Sequence, residues 1–267
     1  MNLVRAAMIG DVVGGPGLEV LEAELPALIK EHRVDFVTVN GENAAEGFGM
    51  TESDFRRITA AGADVVTSGN HVWEKREFWP VLENEKNMLR PANYNGAPGA
   101  GFVRVEKNGS AWIVINLQGR EYMNAIDCPF HCFDRCFEQA QSFVNTQAGV
   151  PARPHLIIVD FHAESSREKE ALAYYADGRA SVFAGTHTHI QTADERILPK
   201  GGAYITDLGM TGVTDSVIGM DSDICQERFL NQVQYHMKVA AEKNAQIFGI
   251  ITEIDADTGR AVSIRRI

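Results

Sequence analysis

The sequence predicts an α/β fold in which two mixed β-sheets pack face to face with helices outside them, an α/β/β/α sandwich. Three observations carry this. Apolar, β-rich runs alternate with helix-length segments, the pattern of crossover-linked parallel strands. Hairpins interrupt that alternation, so neither sheet can be purely parallel. The chain has 267 residues, of which 45% are hydrophobic, enough to bury the core of one domain spanning 1–267.

The elements follow in order. "LVRAAMIG" (3–10) reads as a first strand and leads to a helix around "GLEVLEAELPALIKEH" (17–32). "DFVTVN" (35–40) is a second strand, and "TESDFRRITAAG" (51–62) opens on a Thr cap and closes on Gly, as helices do. "DVVTSG" (64–69) is a third strand, with a helix near "KREFWPVLE" (75–83). "GFVRVEKNGSAWIVINL" (101–117) is two strands around Asn108-Gly109, the strongest short hairpin signal. A helix from Pro129 to Ala148 precedes the strand "HLIIVDF" (155–161), the helix "SREKEALAYYA" (166–176) and the strand "ASVFAG" (180–185). The strand "GAYIT" (202–206), a helix within 221–232 and a hairpin from 247 to 267 complete the chain.

Bulk properties exclude several classes. A net charge of −11 opposes extended contact with nucleic-acid backbone, which relies on clustered Lys and Arg. It leaves a small phosphorylated substrate open, because bound cations can invert the local potential. No apolar stretch reaches the ~18 residues a membrane-spanning helix needs, and the first residues lack the layout of a secretory signal. The expectation is a cytoplasmic protein with no membrane partner; homo-oligomerisation stays open. The four cysteines are too few for a disulfide scaffold. Cys128, Cys132 and Cys136 recur every four residues on one helix stripe. With His131 near them a metal site is conceivable, but no Cys-x-x-Cys spacing is present, and packing is the plainer reading. "NGS" (108–110) matches a glycosylation acceptor and reads as a turn in a cytosolic chain.

The informative residues stand where the buried strands end. Asp11 follows the first strand, Glu42 and Asn43 the second, and Asn70 and His71 the third. His162 follows "LIIVDF", and His187 and His189 follow "ASVFAGT". Ligands of open α/β sheets bind beyond the carboxyl ends of the strands, so these loops should meet on one edge. Each position alone has a bland explanation: Asp11 and Asn70 as turn formers, His162 as a satisfied core histidine. Five strand ends carrying such groups together do not. The other histidines, His32, His131, His155 and His236, fall in helices or at strand starts and read as surface or packing residues.

Carboxylates, amides and imidazoles without a thiolate suit Mn, Fe or Zn rather than a structural zinc site. Seven or eight donors exceed one tetrahedral ion. They suit two ions ~3.5–4 Å apart sharing a carboxylate, as in many phosphatases and nucleases, with Glu42 the natural bridge. None of the five loops contains lysine, so metal would have to meet most of the phosphate charge.

"IGDVVG", "NGENAA", "SGNHVW", "DFHAE" and "GTHTHIQTADERILPKGGAYITDLGMTG" resemble the YmdB-like metallophosphoesterases, bacterial cyclic-nucleotide phosphodiesterases, over essentially the whole chain. The likeness to the wider calcineurin-like superfamily is looser: Val13 stands where an Asp-x-His motif would have histidine, and "GEN" replaces the usual Gly-Asp-x-x-Asp loop. The resemblance implies a metallophosphoesterase-like sandwich. It implies one ion held by Asp11, Glu42, Asn43 and His189, and a second held by Glu42, Asn70, His162 and His187. His71 would be left as the proton donor. It favours iron or manganese over zinc, with 2′,3′-cyclic and also 3′,5′-cyclic nucleotides as substrates.

The implied reaction is hydrolysis of a small phosphodiester by metal-bound hydroxide, with a histidine, whose ordinary pKa suits the task, protonating the leaving oxygen. Arg90 in "RPAN" and Arg120 in "NLQGR" are candidate phosphate contacts, although arginines are more often solvated surface. Two alternatives stay open. One is a phosphomonoesterase or 5′-nucleotidase using the same metals. The other is a non-catalytic nucleotide-binding regulatory module suggested by "GDVVGGPG", whose glycines fit neither the dinucleotide fingerprint nor the P-loop.

Overall fold

The structure is a computed structural model that describes residues 2–143, 154–241 and 244–267. From the N-terminus run β1 (Leu3–Ile9), β2 (Asp11–Val12), α1 (Gly14–His32), β3 (Phe36–Asn40), α2 (Glu52–Ala60), β4 (Val65–Thr67) and α3 (Trp79–Asn84). The middle holds β5 (Phe102–Lys107), β6 (Ser110–Gln118), α4 (Pro129–Ser142), β7 (Leu156–His162), α5 (Ser166–Ala176) and β8 (Val182–Thr186). Then come β9 (Arg196–Ile197), β10 (Ala203–Ile205), β11 (Met210–Val213), α6 (Ser222–Asn231), β12 (Ala245–Gln246), β13 (Gly249–Asp255) and β14 (Arg260–Arg266).

The strands form a five-stranded sheet in the order β14-β13-β1-β3-β4, a six-stranded sheet β5-β6-β7-β8-β10-β9 and a small sheet β12-β11-β2. Both large sheets are mixed. β1 pairs parallel to β3 and antiparallel to β13, and β6 pairs antiparallel to β5 and parallel to β7.

Side-chain alternation along each strand divides the core into three layers. Ala6 and Met8 of β1 face Trp112 and Val114 of β6 and Leu156 and Ile158 of β7 between the sheets. Phe36 stacks on Trp112 there at 4.7 Å. Ala7 and Ile9 point the other way, onto Leu18, Leu21 and Leu25 of α1 and Phe55 and Ile58 of α2. Ile113, Ile115 and Phe161 leave the second sheet on its far side, against Phe133 of α4 and Leu172 of α5. This is the predicted α/β/β/α order.

Local chemistry accounts for the element ends. Thr51 and Asp54 form a reciprocal capping box at α2. Asn108 and Gly109 both take positive φ, 52° and 75°, the backbone a two-residue hairpin turn needs. Cys132 and Cys136 are buried against Phe133 and Ala140, the packing role expected of them.

Several boundaries differ from expectation. α1 begins at Gly14, earlier than its periodic pattern. The segment at 75–83 divides into a 3₁₀ turn, Arg76–Phe78, and the short α3. α4 runs to Ser142 with Phe143 as its cap, and residues 144–148 of the expected helix lie outside the described residues. The small sheet was not expected, because two-residue strands such as β2 and β12 carry no readable period. Among the described residues no helix is long and apolar enough to cross a membrane.

Candidate metal centre

The carboxyl ends of β1, β3, β4, β7 and β8 bring their polar residues to one place across both large sheets. Asp11 begins β2, immediately beyond β1, and Glu42 and Asn43 lie just past β3. Asn70 and His71 follow β4, His162 is the last residue of β7, and His187 and His189 follow β8. Asp11, Glu42, Asn43 and His162 are buried.

His162 is the hub. Its Nε2 lies 2.9 Å from Glu42 Oε1, 3.1 Å from Asn70 Oδ1 and 3.0 Å from His187 Nδ1. A ligating atom each from Glu42, His162 and His187 falls within 4.8 Å of the others. On the neighbouring side, Asn43 Nδ2 is 3.4 Å from Glu42 Oε1 and 3.0 Å from His189 Nε2. Glu42 therefore touches both groups. Asp11 Oδ2 accepts the His187 backbone N–H at 3.2 Å. Its Oδ1 stands 3.8 Å from His162 Nδ1 and has no hydrogen-bond partner.

These donors fit a cation. The Thr186 hydroxyl donates to Asp160 Oδ1 at 2.7 Å and so accepts from His162 Nδ1, 2.9 Å away. That relay puts a proton on Nδ1 and turns Nε2 toward a carboxylate oxygen, an amide oxygen and another imidazole nitrogen. A ring nitrogen carries at most one hydrogen, which cannot serve three acceptors, whereas a cation can. His189 is oriented in the same way: Nδ1 faces the Ile218 carbonyl at 2.8 Å, freeing Nε2. Outer partners of this kind set the tautomer of ligating histidines. The orphaned Asp11 oxygen points to the same conclusion.

Without a cation, a proton on His162 Nε2 answers the Glu42 carboxylate instead, and a bound metal would displace it. Burial pushes the Asp11 carboxyl up to about 6 despite His189 and His162 nearby. Burial also acts on Glu42, but the charge and hydrogen bond of His162, with His71 and His187 beyond, bring it down to about 2. Burial opposes charge on His162, yet Glu42, Asp11 and Asp160 raise it to about 9. His187, half-buried and facing His162, is lowered to about 3 by desolvation and that neighbour and stays neutral, the form that ligates metal.

The backbone is shaped for this site. An added Cβ on Gly69 would lie 2.1 Å from His162 Cδ2 and 2.4 Å from Glu42 Oε2, so only glycine lets the β4 loop pass so close. His187 and His189 both have positive φ, 104° and 65°, strained for residues with a Cβ. The strain is held from below: Asp207 accepts the Thr188 N–H at 3.1 Å and pairs with buried Lys169 at 2.7 Å.

His71 stands apart from the donor cluster. Its backbone N–H donates to Glu42 Oε2 at 3.2 Å. Its ring lies edge-on to Phe48 with centroids 5.1 Å apart, and Nδ1 is 3.4 Å from Glu74 Oε1. It is close to the cluster and free to meet another molecule.

The two arginines correct the sequence reading. The Arg90 guanidinium is buried and donates to the carbonyls of Pro91, Ala97 and Pro98. It fastens a loop from the inside, with each of its three nitrogens committed to a backbone carbonyl. The exposed Arg120 side chain turns to Cys128 Sγ at 3.5 Å, while its backbone N–H goes to Glu168. Neither joins the cluster.

Sequence reasoning also missed the supporting layer. Asp160 accepts from Thr67 at 2.5 Å, Thr186 and Asn40. Burial raises its carboxyl against those hydrogen bonds. A charged residue inside "LIIVDF" was the signal for it. Lys169 had a signal too, since it shares a helical stripe with Leu172, Ala173 and Ala176, a face that should be apolar.

Comparison with known proteins gives a consistent result. A 2′,3′-cyclic-nucleotide 2′-phosphodiesterase of Bacillus subtilis (strain 168) is 43% identical over 265 residues, covering 99% of this chain and 96% of that protein. A crystal structure of a phosphatase from Mycoplasma pneumoniae matches with a TM-score of 0.89 at 31% identity, covering 100% of this chain and 93% of that one. A hypothetical protein from Thermus thermophilus matches with a TM-score of 0.86 at 39% identity, covering 99% and 98%. Residues 7–267 match the family described as YmdB-like protein. With that match running from the first strand to the last residue, and relatives aligned nearly end to end, this chain belongs to the YmdB-like family.

Proposed function

We propose that this protein is a metal-dependent phosphodiesterase that opens 2′,3′-cyclic nucleotides. The observation that carries the reading is the donor cluster around Glu42 and His162, with Glu42 in contact with both of its halves. The name of the Bacillus subtilis relative supports the substrate class. In this reading Asp11, Glu42, Asn43 and His189 hold one ion, and Glu42, Asn70, His162 and His187 the other, with iron or manganese as the metals. When bound, two such cations supply an activated water and neutralise the phosphoryl oxygens.

The chain's own residues do the rest. His71, oriented by Glu74 and Phe48, gives its ring proton to the ribose oxygen. As that proton moves, the phosphorus–oxygen bond to the ribose breaks and a bond to the water oxygen forms. The ring reprotonates from solvent. His71→Ala is expected to retain metal while kcat on 2′,3′-cyclic AMP falls by about 10²–10⁴, the usual contribution of a positioned acid. The loss should be much smaller on bis(p-nitrophenyl) phosphate, whose leaving group needs no proton. Equal losses on the two substrates would count against the role.

The direct test is elemental analysis of protein purified without added metal, paired with turnover of 2′,3′-cyclic AMP before and after chelation. Iron or manganese should co-purify, and chelation should stop turnover until metal is restored. Turnover indifferent to chelation would sink the reading. Parallel assays on 3′,5′-cyclic AMP and on AMP define the range, and a preference for AMP would move the assignment to a nucleotidase.

A further inference from the structure

A cleft of about 340 Å³ is lined by Gly15, Ala45, Phe48, Lys75, Lys238 and Val239 among others, and Phe48 connects it to His71, whose ring lies 5.1 Å away. It belongs to none of the donor residues, yet both walls are tied to them. On one wall the Gly47 N–H donates to the Asn43 carbonyl at 3.1 Å, so a single short loop presents Asn43 at one end and Phe48 at the other. On the other wall Val239 bridges to Met220, two residues beyond Ile218, whose carbonyl orients His189. Gly15 comes from the glycine-rich turn "GDVVGGPG", which the metal centre uses only through Asp11.

The chemistry of the proposed reaction indicates what the cleft faces. When a 2′,3′-cyclic nucleotide opens, the leaving oxygen stays on the ribose. The group that protonates it must therefore lie against the ribose, and the base hangs from the same sugar ring. His71 is that group in the reading above, on which this inference rests, and Phe48 is its edge-on neighbour. We infer that this cleft is the nucleobase subsite, with Phe48 as the stacking platform. Its volume falls within the range of small-molecule sites. Phe48 is only half-buried, so a base can reach its ring. Lys238 carries donors and no acceptors, which suits the ring nitrogens and carbonyls along a base edge, and Lys75 with Glu46 3.9 Å away offers both kinds of group.

The experiment compares KM on 2′,3′-cyclic AMP with KM on glycerol 1,2-cyclic phosphate, which has a five-membered cyclic diester and no base, using the metal-loaded protein. Phe48→Ala removes the platform. Phe48→Leu keeps apolar bulk behind His71 without a ring. Phe48→Trp restores a stacking surface. Stacking on an aromatic ring predicts a KM increase of roughly ten- to hundredfold for the nucleotide in both the alanine and leucine variants. Tryptophan should recover most of that loss, and the base-free diester should respond far less. A role limited to supporting His71 would instead lower kcat on both substrates and be rescued by leucine. Equal responses on the two substrates would overturn the subsite alone. Failure of the unaltered protein to turn over 2′,3′-cyclic AMP would overturn the phosphodiesterase reading with it.

Discussion

Glu42→Gln will empty the site of metal and lower kcat/KM on 2′,3′-cyclic AMP by more than about a hundredfold, since even outer partners of metal ligands contribute 10–100-fold. The substitution conserves volume, so its effect is electronic and directional. Glu42 Oε1 is 2.9 Å from His162 Nε2 and 3.4 Å from Asn43 Nδ2, while Oε2 takes the His71 backbone N–H. A carboxylate can offer lone pairs in both directions at once. An amide offers them in one and turns a donor toward the other. If its nitrogen faces His71, a donor meets a donor in a buried place. If it faces His162, the contact shared by the two halves of the cluster loses its acceptor. The negative charge that the proposed cations would need opposite them is lost in either orientation. Elemental analysis, steady-state turnover and a thermal melt separate these effects from unfolding. A variant with wild-type metal content and turnover would remove Glu42 from the centre.

The parts of this site that were legible in the sequence share a property. Asp11, Glu42, Asn43, Asn70, His162, His187 and His189 each interrupt or end an apolar run that can only be a buried strand. Parallel strands deliver their carboxyl ends to one edge, so strand order was not needed to foresee a gathering. The layered sandwich was legible from a different signal, helix-linked strands interrupted by hairpins, which two packed sheets with helices outside accommodate. Arg90 was misread because its partners are the carbonyls of Pro91, Ala97 and Pro98, and backbone acceptors leave no trace in side-chain chemistry. Asp207 was hidden likewise. Its role depends on Lys169, 38 residues earlier in the chain, and no local pattern reports a pairing at that range. Gly69 gave no signal at all. A glycine after a strand reads as punctuation, and only coordinates show what stands where its side chain would be.

That position supplies the second large effect. In Gly69→Ala the new methyl carbon would sit 2.1 Å from His162 Cδ2, 2.3 Å from His162 Nε2 and 2.4 Å from Glu42 Oε2, all far inside van der Waals contact. None of these neighbours can give way cheaply. The His162 ring is fixed through Thr186 to Asp160, and Asp160 is itself held by Thr67 and Asn40. Glu42 is held by His162 and the His71 N–H. The collision must therefore move either the β4 loop, which carries Asn70 and His71, or the pair that stands at the middle of the cluster. Overpacking of this kind costs about 1–3 kcal/mol of stability, a loss a domain of this size can survive. Displacement of a ligand by even ~1 Å is enough to reduce catalysis about a hundredfold. The expected variant is folded, modestly less stable, poor in metal and nearly inactive. Gly69→Ala would then resemble Glu42→Gln in metal content and turnover while differing from it in melting temperature. A Gly69→Ala protein that loads metal and turns over normally would mean that the loop does not approach the cluster so closely.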